Sequence, residues 1–165
     1  MSKFNEISEI IPNRLYLINL EGATNVKAIL DLQINTIVSV LHFNPFGKTK
    51  PVQYSNIKCI YYYADDEETF KISKYFDDFN NLMKDNPNDR VLVHCLAGAS
   101  RSASVVASYL IKDLVNTKTE KIMKKYDITK IINQLQKIRE VVNPNDGFIN
   151  ELIDYRNKLI GDKTK

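Results

Sequence analysis

Three runs rich in β-branched or aromatic residues, Thr36 to Leu41 (TIVSVL), Ile57 to Tyr63 (IKCIYYY) and Arg90 to Cys95 (RVLVHC), are separated by stretches of helical spacing. Leu15 to Asn19 reads as a fourth strand. Thr24 is positioned to cap a helix carrying Val26, Ile29 and Leu30, and Ile72, Tyr75, Phe76, Phe79 and Leu82 recur with helical spacing before the breaker NPND. Beyond Cys95 the pattern is almost wholly helical. Val105, Val106, Tyr109 and Leu110 mark one segment, Ile131, Leu135, Ile138 and Val142 a second, and Phe148, Leu152, Tyr155 and Leu159 a third after the turn NPNDG. Strands alternating with helices, then a helical half, predict an α/β fold. Its central sheet has about five strands, mainly parallel or mixed, and helices cover both faces.

A chain of 165 residues suffices for one such domain to bury its core without metal or disulfide staples. With no linker, repeat or low-complexity tract, the expected domain spans 1–160, with a short polar tail at 161–165. The two cysteines, Cys59 and Cys95, are too few for a disulfide framework and lack metal-ligand spacing, which fits a reducing compartment, cytoplasmic or nuclear. MSKFNEISEI lacks the apolar core of a signal peptide, and no stretch approaches the roughly 20 apolar residues of a membrane span. A net charge of +3 favours acidic or phosphorylated partners only weakly and makes no case for nucleic acid. The expectation is a monomer acting on neither membrane nor nucleic acid.

The most informative stretch is VLVHCLAGASRS, Val91 to Ser102, at a strand-to-helix junction. Open α/β sheets bind ligands at such junctions, beyond the carboxyl ends of their strands. Leu96, Ala97, Gly98, Ala99 and Ser100 suit a tight loop whose amides point to a common centre, feeding a helix N-terminus at about Ser100 to Ser102. That is a cradle for phosphate. Arg101 adds a planar fork for two phosphate oxygens, a geometry lysine cannot reproduce. Cys95 would lie at the base, where the helix dipole and the cation favour a thiolate, a nucleophile aimed at phosphorus. His94 and Ser102 are placed to hydrogen-bond around the loop or to the sulfur. The departing oxygen needs an acid, and YYYADDEETF offers Asp65 and Asp66, either of which could later act as base for the hydrolytic water. Arg101 and the amides neutralise the transferring group, so neither metal nor cofactor is called for.

Cys-x5-Arg with a preceding His and a following Ser resembles the signature of the cysteine-dependent protein tyrosine phosphatases, and HCLAGASRS is closest to the dual-specificity phosphatases. The likeness extends through IIPNRLYLINLEGATN, NTIVSVLHF and NPNDGFINELIDY, with Ile18 standing where that opening usually has glycine. The resemblance implies a protein tyrosine phosphatase-like fold, Cys95 as nucleophile, Arg101 as phosphate clamp and Ser102 assisting breakdown of a phosphocysteine. Counting back from Tyr75 and Phe76, it selects Asp66 over Asp65 as general acid and base. It also implies phosphorylated protein substrates. The short chain implies a shallow cleft open to phosphotyrosine, phosphoserine and phosphothreonine. VNTKTEKIMKKYD makes the segment around 115–128 longer than usual in this family, which bears on substrate selection or docking.

Blander readings stand beside these. Inactive phosphoresidue binding is one alternative, and a phosphatase of the same fold acting on RNA 5′ ends or another non-protein phosphoester is a second. His94 is read as orienting the loop without transferring protons, and Cys59 as a small core residue, with redox partnership to Cys95 the lesser reading. KTEKIMKK reads as a solvated helix face, Asn143 to Gly147 as a structural turn, and Arg139 as a surface ion pair before a secondary anion contact.

Overall fold

The computed structural model describes residues 5–47, 51–118 and 127–163. Strand β1 (Ser8–Ile11) and β2 (Leu15–Ile18) form an antiparallel hairpin, closed by a turn in which Asn13 takes φ 56° and the Arg14 amide donates to the Ile11 carbonyl at 3.0 Å. Strands β3 (Thr36–Leu41), β4 (Lys58–Tyr63) and β5 (Val91–His94) complete a five-stranded sheet of order β1-β2-β5-β3-β4. From β2 to β4 all neighbours run parallel, so the sheet is mixed only through its first strand. The expected fold class is therefore the observed one.

Strand β5 lies at the centre and all four of its residues are buried, as are all six of β3, because helices cover both faces. On one face α1 (Leu20–Ala23) and α2 (Val26–Asp31) pack Ala23 and Ile29 against Tyr16, Ile18, Ile37 and Leu92. On the other, α3 (Phe76–Asp85), α4 (Arg101–Thr117), α5 (Ile128–Ile138) and α6 (Asp146–Lys163) enclose the larger core around Val38, Val40, Val91 and Val93. Successive residues of β5 thus serve opposite cores, Val91 and Val93 one and Leu92 the other, as the two-residue period of a strand requires.

Several local expectations are corrected. Thr24 ends α1 instead of starting α2: its hydroxyl donates to the Glu21 carbonyl at the end of α1, and Asn25 caps α2 by accepting from Ala28 N at 3.1 Å. Strand β1 was not legible, because SEII is short and half polar, and it is made by pairing with β2. Helix α5 ends at Ile138, itself 48% exposed, and Val142 is buried beyond it. The final helix runs through Gly161 to Lys163. In the long segment, α4 continues to Thr117 and Asp127 caps α5 through Lys130 N at 3.0 Å, whereas most of KTEKIMKK lies outside the described residues. Among the described residues no helix is long and apolar enough to cross a membrane.

Because β2, β3, β4 and β5 are parallel, their carboxyl ends lie at one edge. The segments leaving them, beginning at Asn19, His42, Ala64 and Cys95, therefore gather at that edge.

Candidate active site

Cys95, 1% exposed, directly follows β5, and its Sγ accepts hydrogen bonds from Gly98 N at 3.2 Å and Ser102 Oγ at 3.1 Å. The loop around it is held from outside. The Leu96 carbonyl accepts from Leu20 N (3.1 Å), that of Ala97 from Arg139 Nη2 (3.1 Å), that of Gly98 from Arg139 Nε (3.0 Å) and that of Ala99 from Asn143 N (2.8 Å). Ser100 closes the series by accepting from Ser104 N at 2.9 Å and Ser104 Oγ at 2.8 Å. A trans peptide plane points its N–H opposite to its C=O, so carbonyls drawn outward leave the following amides facing inward. The result is a concave ring of amides around Cys95, an arrangement suited to an anion.

Gly98 makes this turn with φ +66°, a conformation that disfavours any side chain, and a Cβ there would stand 2.5 Å from the Ile18 carbonyl oxygen. Arg101, 5% exposed, donates from Nη1 to the Ala64 carbonyl at 3.2 Å. Its Nε is buried and has no hydrogen-bond partner among the described residues, so it is a charged donor suited to an anion's oxygen. Ser100 stands at the N-cap of α4 but makes no capping bond. Its hydroxyl donates instead to Asp66 Oδ1 at 2.6 Å, which leaves the first amides of α4 uncapped at the cradle.

Asp66 is thereby tied to the cradle across 34 positions of sequence. Asn145 Nδ2 donates to the same oxygen at 3.0 Å, while the Asn145 backbone amide donates to Ser100 Oγ at 3.2 Å. Asp65, by contrast, accepts from the Tyr63 hydroxyl at 3.0 Å, within its own segment. The structure brings Cys95, Leu96, Ala97, Gly98, Ala99, Ser100, Arg101, Ser102 and Asp66 to one place.

His94 backs the cradle and is 1% exposed. Burial pushes its pKa down to about 4, partly opposed by its bond to the Cys95 carbonyl. That carbonyl can only accept, so Nδ1, 3.4 Å away, carries the proton, and Nε2 accepts from Ser39 Oγ at 2.7 Å. A neutral ring with both nitrogens engaged braces the loop. Arg139 is no surface ion pair: it is 3% exposed, and its guanidinium grips the Ala97 and Gly98 carbonyls. Burial lowers its pKa, and the neighbouring Cys95 acts in the opposite sense. Asn143 to Gly147 is likewise more than a turn, since Asn143 and Asn145 reach the cradle. Neither residue carried a sequence signal for this role.

The family model for the dual specificity phosphatase catalytic domain matches residues 15–158. The chain belongs to the dual specificity phosphatase family. A probable dual specificity protein phosphatase of Dictyostelium discoideum is 32% identical, over 94% of this chain and 65% of that protein. The tyrosine-protein phosphatase yvh1 of Schizosaccharomyces pombe is 29% identical, over 92% of this chain and 42% of the relative. The chain thus spans less than two thirds of the length of these curated relatives. Among solved structures of this fold, DUSP15 superposes with a TM-score of 0.76 at 22% identity, covering 96% of this chain and 94% of the other. The human tyrosine phosphatase-like serine/threonine/tyrosine-interacting protein does so with 0.76 at 24% identity, covering 93% of this chain and 97% of that one.

The structure shows what accommodates Ile18 just before the segment that leaves β2. Ile18 is fully buried, and a Cβ on Gly22 would fall 2.2 Å from its Cγ1. Gly22 vacates the volume that the isoleucine fills. The Cys59 thiol is too far to pair with Cys95. Register aligns Cys59 with Ile37 and Ile37 with Leu92, which places Cys95 two strands across and three residues along. Strands lie roughly 4.8 Å apart and rise about 3.3 Å per residue, so the separation exceeds the roughly 7 Å Cα limit of a disulfide.

Proposed function

We propose that this dual specificity phosphatase chain hydrolyses phosphotyrosine and phosphoserine or phosphothreonine in proteins through a phosphocysteine intermediate. The observation carrying this reading is the sulfur of Cys95, set among inward amides beside Arg101 and with Asp66 anchored across the cradle by Ser100. In the first step the Cys95 thiolate attacks phosphorus. The S–P bond forms, the bond from phosphorus to the leaving oxygen breaks, and the proton of Asp66 passes to that oxygen. The loop amides and Arg101 hold the three equatorial oxygens and spread their charge, a role that needs no metal or cofactor.

In the second step water attacks the phosphocysteine, Asp66 takes its proton, and the S–P bond breaks to release inorganic phosphate. Ser102, already 3.1 Å from the sulfur, donates to the departing thiolate. His94 orients the loop through its contacts with Ser39 and the Cys95 carbonyl.

The test is hydrolysis of phosphopeptides and a small aryl phosphate in chelator, comparing the intact chain with Cys95→Ser and Asp66→Asn across pH. Cys95→Ser should abolish turnover while retaining phosphopeptide binding. Asp66→Asn should slow phosphotyrosine hydrolysis by roughly 10²- to 10⁴-fold and remove the alkaline limb of the profile. A folded chain that binds phosphopeptide yet turns over no phosphoester would instead be a binding module. Turnover confined to RNA 5′ ends would reassign the substrate.

A further inference from the structure

The reading above needs the carboxyl of Asp66 to face the leaving oxygen, and the residues that hold it there come from neither the phosphate loop nor the acid segment alone. Helix α6 meets residues 66–73 at three points. At its start, Asn145 Nδ2 donates to Asp66 Oδ1 at 3.0 Å. Two residues on, Gly147 lies so close that a Cβ would stand 2.0 Å from the Glu68 carbonyl oxygen. A turn further, the carboxylate of Glu151, only 8% exposed, accepts from Ser73 N at 2.6 Å and pairs with Lys71 at 3.4 Å. Gly147 and Glu151 are four residues apart and so lie on one face of α6.

Asn145 does three things at once. Its Oδ1 accepts from Phe148 N at 2.9 Å in the manner of an N-cap, its backbone amide donates to Ser100 Oγ, and its side-chain amide donates to Asp66. Ser100 and Asn145 both donate to Oδ1 of Asp66. An oxygen that already accepts two hydrogen bonds is a poor site for the acidic proton, whereas Oδ2 has no hydrogen-bond partner among the described residues.

Resting on the proposed reaction, we infer that Asn145 is the positioning residue of the general acid, selecting Oδ2 as its proton-carrying oxygen, and that α6 holds the acid segment over the cradle. Asn145 touches no reacting atom; it acts through Asp66. Glu151 acts one step further back, by fixing the amide of Ser73 at the far end of the same segment.

The dependence on leaving group separates positioning from general structural damage. An acid matters most where the departing oxygen is strongly basic and least where it leaves readily as an anion. Asn145→Ser keeps an N-cap acceptor for α6 but shortens the side chain so that the donor to Asp66 is lost. Rates would be measured on an alkyl phosphate, phosphotyrosine and an aryl phosphate with an acidic phenol. The expected result is a loss for the alkyl phosphate about tenfold larger than for the activated aryl ester, with kcat falling and KM little changed. Glu151→Ala should show the same pattern, more weakly.

A uniform loss across all three substrates, or none, in a variant with an intact thermal transition would overturn the inference. Asn145→Asp, which also keeps an N-cap acceptor, provides the same comparison should the serine variant fail to fold. The intact chain is the reference throughout: inertness there would defeat the proposed reaction, whereas activity there with a flat leaving-group response in the variants defeats only the role of Asn145.

Discussion

Residues 95–101 and residues 64–73 face the same space and are held in opposite ways. The phosphate loop is fixed from behind by its own backbone, the carbonyls of Leu96, Ala97, Gly98 and Ala99 each anchored to a donor on another segment, with Arg139 supplying two of those donors. The acid segment is fixed largely by side chains, from Ser100, Asn145 and Glu151, through hydrogen bonds at single carboxylate or amide groups. A cradle that must present several amides at once needs the whole backbone set, so errors at one point spread to all of them. An acid that must present one proton needs only one carboxyl turned correctly, and three side-chain anchors suffice.

The sharpest way to break the first region alone is Gly98→Ala. The substitution places a side chain at φ +66° with its Cβ 2.5 Å from a backbone oxygen. It should cost about 2 to 4 kcal/mol, read from denaturant midpoints, and abolish phosphoester turnover with every leaving group. The equivalent strain does not exist at Asp66.

Arg139→Ala comes next. It strands the Ala97 and Gly98 carbonyls and should lower kcat/KM by roughly 10- to 100-fold. The loss should be similar for activated and unactivated phosphoesters. A leaving-group-dependent loss here would erase the distinction between the two regions, because it would mean that Arg139 also acts on the acid.

The smallest effect sharpens the role of His94. Its folded pKa, about 4, lies below the ordinary value of 6.5, so the unfolded chain binds the extra proton first as pH falls. Stability is therefore full above about pH 6.5 and declines as pH falls towards 4. Relative to pH 7, the His94 contribution at pH 4.5 should be a loss of about 2 kcal/mol in urea unfolding, and His94→Asn should remove that part of the slope. An unchanged slope in the variant would mean that another group titrates in its place.

Much of the first region was legible in the sequence. VLVHCLAGASRS carries strand, loop and helix start in consecutive residues, and the positions of Cys95, Gly98, Arg101 and Ser102 follow from local backbone geometry. The second region was legible only in outline. The resemblance pointed to Asp66, but its partners lie 34 and 79 positions away, beyond the reach of any local pattern. Arg139 was misread for the same reason: among neighbours such as Lys137 and Glu140 it looks like a solvated charge, and only the fold buries it.

The sequence by itself determined the alternation of strands and helices, the central buried strands and the loop around Cys95, because apolar periodicity and a small-residue junction act over a few residues at a time. Tertiary structure decided which side chains brace that loop, which oxygen of Asp66 takes both hydrogen bonds, and how Gly22 makes room for Ile18. Those outcomes depend on packing and hydrogen bonds between segments that meet only once the sheet has brought its strand ends to one edge.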